Sequence, residues 1–452
     1  MKADILGMIK GNRHQQKELD YKWIIVALCF LMVFTVLGFC NAPKSLFISA
    51  ITEALGIKRS LFSINDSCRY IATAVTNIFF GVLIKRYGAK KLIGAGFLCL
   101  ILSCIIYSVA PNVLVFCIGG CLLGVGVSFT TTTMVGCVIN KWCREKKGTI
   151  MGLVLAANGL GGALAIQIVS PMIYQEGNAF GYKNAYRLIA LILLAVGAVI
   201  LLFFRNEPKE KTAAKMPIKA RTARGGKSSA PIKSKSNNLQ GWRGISYSEA
   251  VKKPYFYGII ICVFLSGMCL EGVYGIAAAH MIDVGLDATY VVWVLSFNAL
   301  TMAAFKFLTG IIYDKFGLRL TMSICSATGV IVMFALACVT DSEVGKGLAL
   351  VYGIFSSLAF PLESVLLPIC TSDLFGLKSF DQILGILAAV NVAGYAVGAP
   401  AVNVCFDIWG SYQPALLASG VLMLAVTVVL QFVLCAAKRQ RQEPAANLYI
   451  NS

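Results

Sequence analysis

The chain alternates long apolar runs with short polar gaps. The apolar runs fall at 23–50, 61–84, 91–110, 113–139, 148–174, 185–204, 255–281, 289–312, 320–340, 346–371, 381–405 and 412–436. Each approaches or exceeds the roughly 20 residues a helix needs to cross a bilayer. The pattern predicts an all-α integral membrane protein with twelve transmembrane helices. The longest gap, 206–253, is polar and basic, and divides the helices six and six. The predicted organisation is an N-tail 1–22, a first half 23–205, a linker 206–253, a second half 254–437 and a C-tail 438–452.

Composition agrees. Of the 452 residues, 58% are apolar and 13% charged, against about 25% charged in soluble domains. The mean hydropathy is +0.76. A net charge of +19 would suggest a nucleic-acid partner in a soluble protein. Here the cations sit in alternate gaps: Lys85, Arg86, Lys90 and Lys91, then Lys141, Arg144, Lys146 and Lys147, then the linker. The opposite gaps hold few, among them Lys58, Arg59, Lys183, Arg187 and Lys346. The positive-inside rule then places both termini and the linker in the cytoplasm of a multi-pass plasma-membrane protein, most simply a bacterial inner-membrane one. No aromatic–basic interleaving of the single-strand-binding kind lies outside the apolar runs, so no nucleic-acid partner is expected. The first run is too long for a signal-peptide core and is read as a retained helix. The linker lacks the apolar residues to fold alone.

Little points to covalent chemistry. Nearly all 16 cysteines lie in apolar runs and read as small buried hydrophobes. His14 and His280 cannot make a metal cluster, and no nucleophile–His–acid set can be assembled. The chain is expected to be no enzyme, with no catalytic residues, cofactor or metal.

The sequence repeats itself. GVLIKRYGAKK at 81–91 and GIIYDKFGLRL at 310–320 occupy equivalent gaps after the second run of each half. Gly152, Asn158 and Gly161 are echoed at the same spacings by Gly385, Asn391 and Gly394. Two repeats in one membrane orientation imply two similar halves, with a substrate site between them. Gly81, Arg86, Gly88, Asp314, Lys315 and Gly317 are the candidate gating-loop residues.

The Gly-x-x-x-charge-basic-aromatic-Gly loop resembles the signature of the major facilitator superfamily. The first copy departs from it, with Lys85 where an Asp is usual. The segment APKSLFISAITEALGI (42–57) resembles the Pro-Lys-Ser region of the monocarboxylate transporters. NKWCREKKGTIMGLVLAANGLGGAL (140–164), SDLFGLKSFDQILG and GSYQPALLASG are similar to further parts of that family, whose layout the oxalate/formate antiporters share. The resemblance implies the major facilitator fold of two six-helix pseudo-repeats. It also implies substrate and proton coupling at Lys44 and a size-limiting role for Phe360. The family's Asp–Arg pair in span eight is replaced by Met302 and Lys306.

Charges inside apolar runs are costly and point to function. The cations are Lys44, Arg69 and Lys306; the acids are Asp66, Glu271 and Glu363. A carboxylate is the natural partner for buried cations. Desolvation lowers a lysine's proton affinity and a bound anion restores it, so proton and carboxylate binding favour each other. Asp66, Arg69, Thr73, Thr76 and Asn77 fall at helical spacing, predicting a polar stripe along the pathway. Lys44, Arg69, Lys306, Phe360, Tyr274, Asn298 and Asn391 are the candidate substrate contacts. Asp66, Glu271 and Glu363 are the candidate proton carriers, and each could instead pair with a buried cation. Glu363, between Pro361 and Pro368, is expected where span ten is broken.

The expected activity is secondary transport of a small organic anion, a mono- or dicarboxylate, with a proton or counter-anion. The alternatives are an exporter of amphipathic molecules and a membrane sensor that binds an anion without moving it.

Overall fold

A computed structural model describes residues 2–41, 43–57, 62, 64–143, 145–173, 180–205 and 244–450. Most of the linker, with Lys58, Arg59 and the side chains of both tails, lies outside the described residues.

Among the described residues, twelve helices are long and apolar enough to span a bilayer. The first half contains α1 (Lys2–Asn41), α2 (Lys44–Leu55), α3 (Ile64–Tyr87) and α4 (Ala89–Val109). It continues with α5 (Val113–Thr130), α6 (Thr132–Trp142), α7 (Lys147–Ile173) and α8 (Gly181–Phe203). α9 (Tyr247–Ala250) precedes the second half. That half contains α10 (Pro254–Asp283), α11 (Ala288–Phe316), α12 (Leu318–Ala337), α13 (Glu343–Ala359), α14 (Pro361–Ser364), α15 (Leu366–Phe375), α16 (Phe380–Trp409) and α17 (Gln413–Ile450). The outer surface is apolar, with Leu202 76% and Phe432 72% exposed. Lipid is the solvent such a surface fits.

Two expectations need correction. The first span ends at Asn41 rather than continuing to 50, and α2 starts a new helix behind Pro43. Pro43 lacks the backbone N–H that a continuing helix would use, so α1 does not run on through it. The tenth span is distorted rather than broken. Phe360 and Val365 between its pieces keep right-handed helical angles. Pro361 removes one backbone donor without redirecting the rod.

The internal repeat recurs as packing. Gly88 and Gly317 hold the two loop motifs at φ 76° and 82°, a region in which a side chain is strained. Gly161 lies against the backbone of Phe34 on α1, and Gly394 against Phe264 and Met268 on α10. Gly152 faces Lys306 and Phe307 on α11, while Gly385 faces Asn77 and Phe80 on α3. Gly161 and Gly394 therefore touch the first helix of their own half, and Gly152 and Gly385 the second spanning helix of the opposite half. Small residues let membrane helices approach closely where no hydrophobic effect drives them together.

The halves meet closely at the end carrying the loop motifs. A Cβ on Gly148 would fall 2.6 Å from the Gly310 carbonyl oxygen, and one on Gly136 would fall 2.8 Å from Pro368 Cβ. Lys141 Nζ on α6 lies 3.3 Å from Asp381 Oδ2 on α16. The residues just before α10 clasp the same end. The Ile245 N–H donates to the Phe375 carbonyl at 3.0 Å, and the Tyr247 N–H to Ser379 Oγ at 3.1 Å. The Ser246 N–H donates to Glu249, holding that carboxyl below its usual range.

The repeat makes a stability prediction. Gly161→Val places a Cβ 2.8 Å from the Phe34 carbonyl carbon, against backbone that cannot yield. Overpacking of this kind costs about 1–3 kcal/mol or more. The monodisperse peak in detergent should shrink markedly. Gly275→Val, at a glycine with open space around it, should leave the peak unchanged.

Candidate functional site

A pocket opens inside the first half, at the end away from the loop motifs. Phe39, Lys44, Phe47, Asp66, Arg69, Tyr107 and Tyr186 form much of its wall. Lys44 stands in the first turn of α2. Its ammonium adds to the positive end of the helix dipole. Lys44 Nζ lies 2.6 Å from Asp66 Oδ2, and Arg69 Nε lies 4.0 Å from Asp66 Oδ1. Arg69 Nη1 donates to Asn41 Oδ1 at 2.9 Å, so the end of α1 positions the guanidinium. The guanidinium also lies 4.7 Å from the centre of the Tyr70 ring. One acid thus sits between two cations, beside aromatic walls.

The predicted polar stripe divides. Asp66 and Arg69 reach this pocket. Thr73 and Asn77 instead fasten α3 to α5: Thr73 Oγ1 donates to the Gly124 carbonyl at 3.0 Å, and Ser128 Oγ to Asn77 Oδ1 at 2.5 Å. Thr76 Oγ1 turns back to the Ala72 carbonyl. Thr73 and Asn77 therefore fasten helices rather than face the pocket around Lys44.

A second set of groups lies where the halves meet. Tyr70 OH donates to Glu271 Oε1 at 3.0 Å, linking α3 to α10. The Tyr70 and Tyr395 rings stand edge to face, 6.0 Å apart. Tyr395 OH donates to Glu363 Oε2 at 2.8 Å. Tyr274 and Phe360 stand edge to face at 5.1 Å. Lys306 is 6% exposed, and its backbone faces Gly152 of the other half. Among the described residues it forms no ion pair.

Other candidates are held locally. Asn298 Nδ2 donates to the Gly353 carbonyl at 2.9 Å and to Ser356 Oγ at 2.6 Å, fastening α11 to α13. Asn391 Nδ2 donates to the Val263 carbonyl at 3.4 Å. Asp314 reaches across the halves to the start of α7. Its carboxylate accepts from the Gly148 N–H at 3.0 Å, the Thr149 N–H at 2.7 Å and the Thr149 hydroxyl at 2.5 Å. Arg86 and Lys315 are exposed.

Sequence reasoning missed Tyr70, Tyr395, Asn41 and the Lys141–Asp381 pair. Tyr395 had a detectable signal, lying one helical turn after Asn391. Tyr70 follows Arg69 directly and had none.

With the fold and its charged groups placed, comparison with known proteins is decisive at the level of family. Residues 23–362 and 259–448 match the model of the Major Facilitator Superfamily. The chain belongs to that superfamily and is a multi-pass membrane transporter. It is 24% identical over 439 residues to the uncharacterized MFS-type transporter YcxA of Bacillus subtilis (strain 168), covering 93% of this chain and 97% of that one. It is 22% identical over 430 residues to human Monocarboxylate transporter 2, covering 92% and 86%. The fold is similar to the crystal structure of the transporter FucP in the outward conformation. That match has a TM-score of 0.66 and 14% identity, and covers 91% of this chain and 99% of that one.

Proposed function

We propose that this transporter carries a small monocarboxylate, together with a proton or in exchange for another anion. The observation that carries the reading is the charge balance of the deep groups. Lys44, Arg69 and Lys306 are matched in number by Asp66, Glu271 and Glu363. A monoanion entering alone would leave an uncompensated charge in a low-dielectric interior, which is costly. One proton with it, or one anion leaving, keeps the interior neutral. A dicarboxylate would need two.

The outer pocket is the first station. Lys44 and Arg69 attract the carboxylate, and Asp66 gives up part of its hold on them. Lys306 and Glu271, at the seam, are the second. The halves then rock about this seam. The match to a protein named for monocarboxylate transport supports the same substrate class. The basic linker and both tails are assigned to the cytoplasm of a plasma membrane, with the linker a tether between the halves.

The test is uptake of labelled lactate, benzoate and oxalate into proteoliposomes, with and without an inward proton gradient, for wild type and Lys44→Ala. Gradient-stimulated uptake of a monocarboxylate, lost in Lys44→Ala, is expected for symport. Uptake only into vesicles preloaded with anion makes the protein an exchanger. No carboxylate movement in either mode overturns the reading.

A further inference from the structure

Two cysteines line the pocket around Lys44. Cys40 stands in the last turn of α1 and is half-buried. Cys104 stands on α4 and is 2% exposed. Their thiols hydrogen-bond to each other. The helices that carry them are not packed side by side: α1 packs mainly on α7 and α8, and α4 on α5 and α8. The thiol pair therefore reaches across the pocket between two separate helices.

The pair also sits beside the groups that hold the charge of the pocket. Asn41, next to Cys40, accepts from Arg69 Nη1 at 2.9 Å. Pro43 then separates α1 from α2, whose first residue is Lys44. The last turn of α1 thus carries Cys40, the Arg69 acceptor and the joint that sets Lys44. A single thiol in an apolar run is most simply a small hydrophobe. Two thiols that meet across an open pocket are placed for chemistry that packing does not use.

We propose that Cys40 and Cys104 form a reversible modification site: a disulfide between them, made by exchange with a low-molecular-weight disulfide, closes the pocket to the anion. The bond itself stands apart from the transport reading above, and its effect on uptake rests on that reading. With the linker and tails assigned to the cytoplasm, the pocket faces the outer compartment, where disulfides persist. Cys40, the more exposed of the two, reacts first. It gives up its proton, and its thiolate attacks one sulfur of the incoming disulfide. The displaced thiolate leaves and takes up that proton. Cys104 then attacks the Cys40 sulfur in the same way and expels the second small thiol. Two protein thiols are oxidised and one small disulfide is reduced to two thiols, so the balance needs no other oxidant. Lys44 and Arg69 draw an anionic disulfide, such as oxidised glutathione, into the pocket.

A disulfide holds its two Cβ atoms about 3.5–4.5 Å apart. The bond therefore draws the end of α1 and α4 together across the pocket, fixes Asn41 beside Arg69 and narrows the space next to Lys44. Cys68, Cys117 and Cys121 also meet one another, but none of them lines the pocket. They serve as an internal control.

The experiment treats wild type in proteoliposomes with oxidised glutathione, blocks the remaining thiols with N-ethylmaleimide and maps the cysteines by mass spectrometry. The expected result is a peptide linked through Cys40 and Cys104 that dithiothreitol abolishes. In Cys104→Ser the exchange should stop halfway, leaving glutathione on Cys40. Uptake of labelled lactate and benzoate is measured on the same vesicles. It should fall in wild type in proportion to the linked peptide and return with dithiothreitol. In Cys40→Ser uptake, whatever its own level, should not respond to oxidised glutathione.

Recovery of Cys40 and Cys104 as maleimide adducts, with no linked peptide, overturns the site, as does linkage through Cys68, Cys117 or Cys121 in its place. A linked peptide with uptake unchanged overturns the closure of the pocket. Wild type that moves no carboxylate before oxidation overturns the transport reading. The peptide map needs only wild type, so it decides the bond even then, and even where a variant does not fold.

Discussion

Lys306→Met should abolish transport while raising the stability of the folded protein. Lys306 is 6% exposed and has no ion-pair partner among the described residues. A cation at the centre of a membrane helix costs about 2.5–3.5 kcal/mol on insertion scales. Methionine matches the length of lysine and removes the charge, so the folded state gains part of that cost. The expected rise in melting temperature is several degrees. Transport should fall about 30-fold or more, the rate equivalent of about 2 kcal/mol lost from a desolvated charge contact. Thermal unfolding followed by fluorescence and uptake in vesicles are read on the same preparation. A less stable variant that still transports would show that Lys306 serves the fold.

Asp314→Ala should release the seal between the halves. Its carboxylate caps the first turn of α7 from across the seam, with three donors within 3.0 Å. Loss of such a cap costs about 0.5–2 kcal/mol. That corresponds to a shift of about 2- to 30-fold in the equilibrium between closed and open forms of this end. Spin labels on either side of the seam should show a longer distance population growing at the expense of the short one. On the neighbouring seam, Lys141→Asp should have a similar effect, and Lys141→Asp with Asp381→Lys should reverse much of it. An unchanged distance distribution in Asp314→Ala would mean that glycine packing alone holds this end closed.

Much of the architecture is legible in the sequence, because lipid imposes a simple rule on every spanning segment. Twelve apolar runs gave twelve helices. The glycine echoes marked the places where helices touch, since close backbone approach leaves little choice of residue. The partner helices of Gly161 and Gly394 became visible only in the fold. The end of the first span was harder to place. Residues 42–50 are nearly as apolar as those before them, and one proline within an apolar run does not announce a new helix. The polar stripe on α3 was correct in spacing and wrong in destination for Thr73 and Asn77. Periodicity identifies a face, while the neighbour that covers it is a tertiary fact. Tyr70 and Tyr395 escaped notice for a related reason. A tyrosine in an apolar helix reads as packing until its hydroxyl is seen to meet a carboxylate.

The pocket around Lys44 is lined entirely by residues of the first half. The direct contacts it offers are therefore much the same at whatever angle the two halves stand, and its only links to the other half run through Tyr70. A ligand that binds two states equally shifts nothing between them, however tightly it is held. On the proposed reading, capture at Lys44 and Arg69 selects the cargo and contributes little to turning the protein over. The force that turns the protein over has to come from residues that meet the cargo in one orientation of the halves and not in the other. Lys306 and the Tyr70–Glu271 link, set at the seam, are the groups placed to supply that difference.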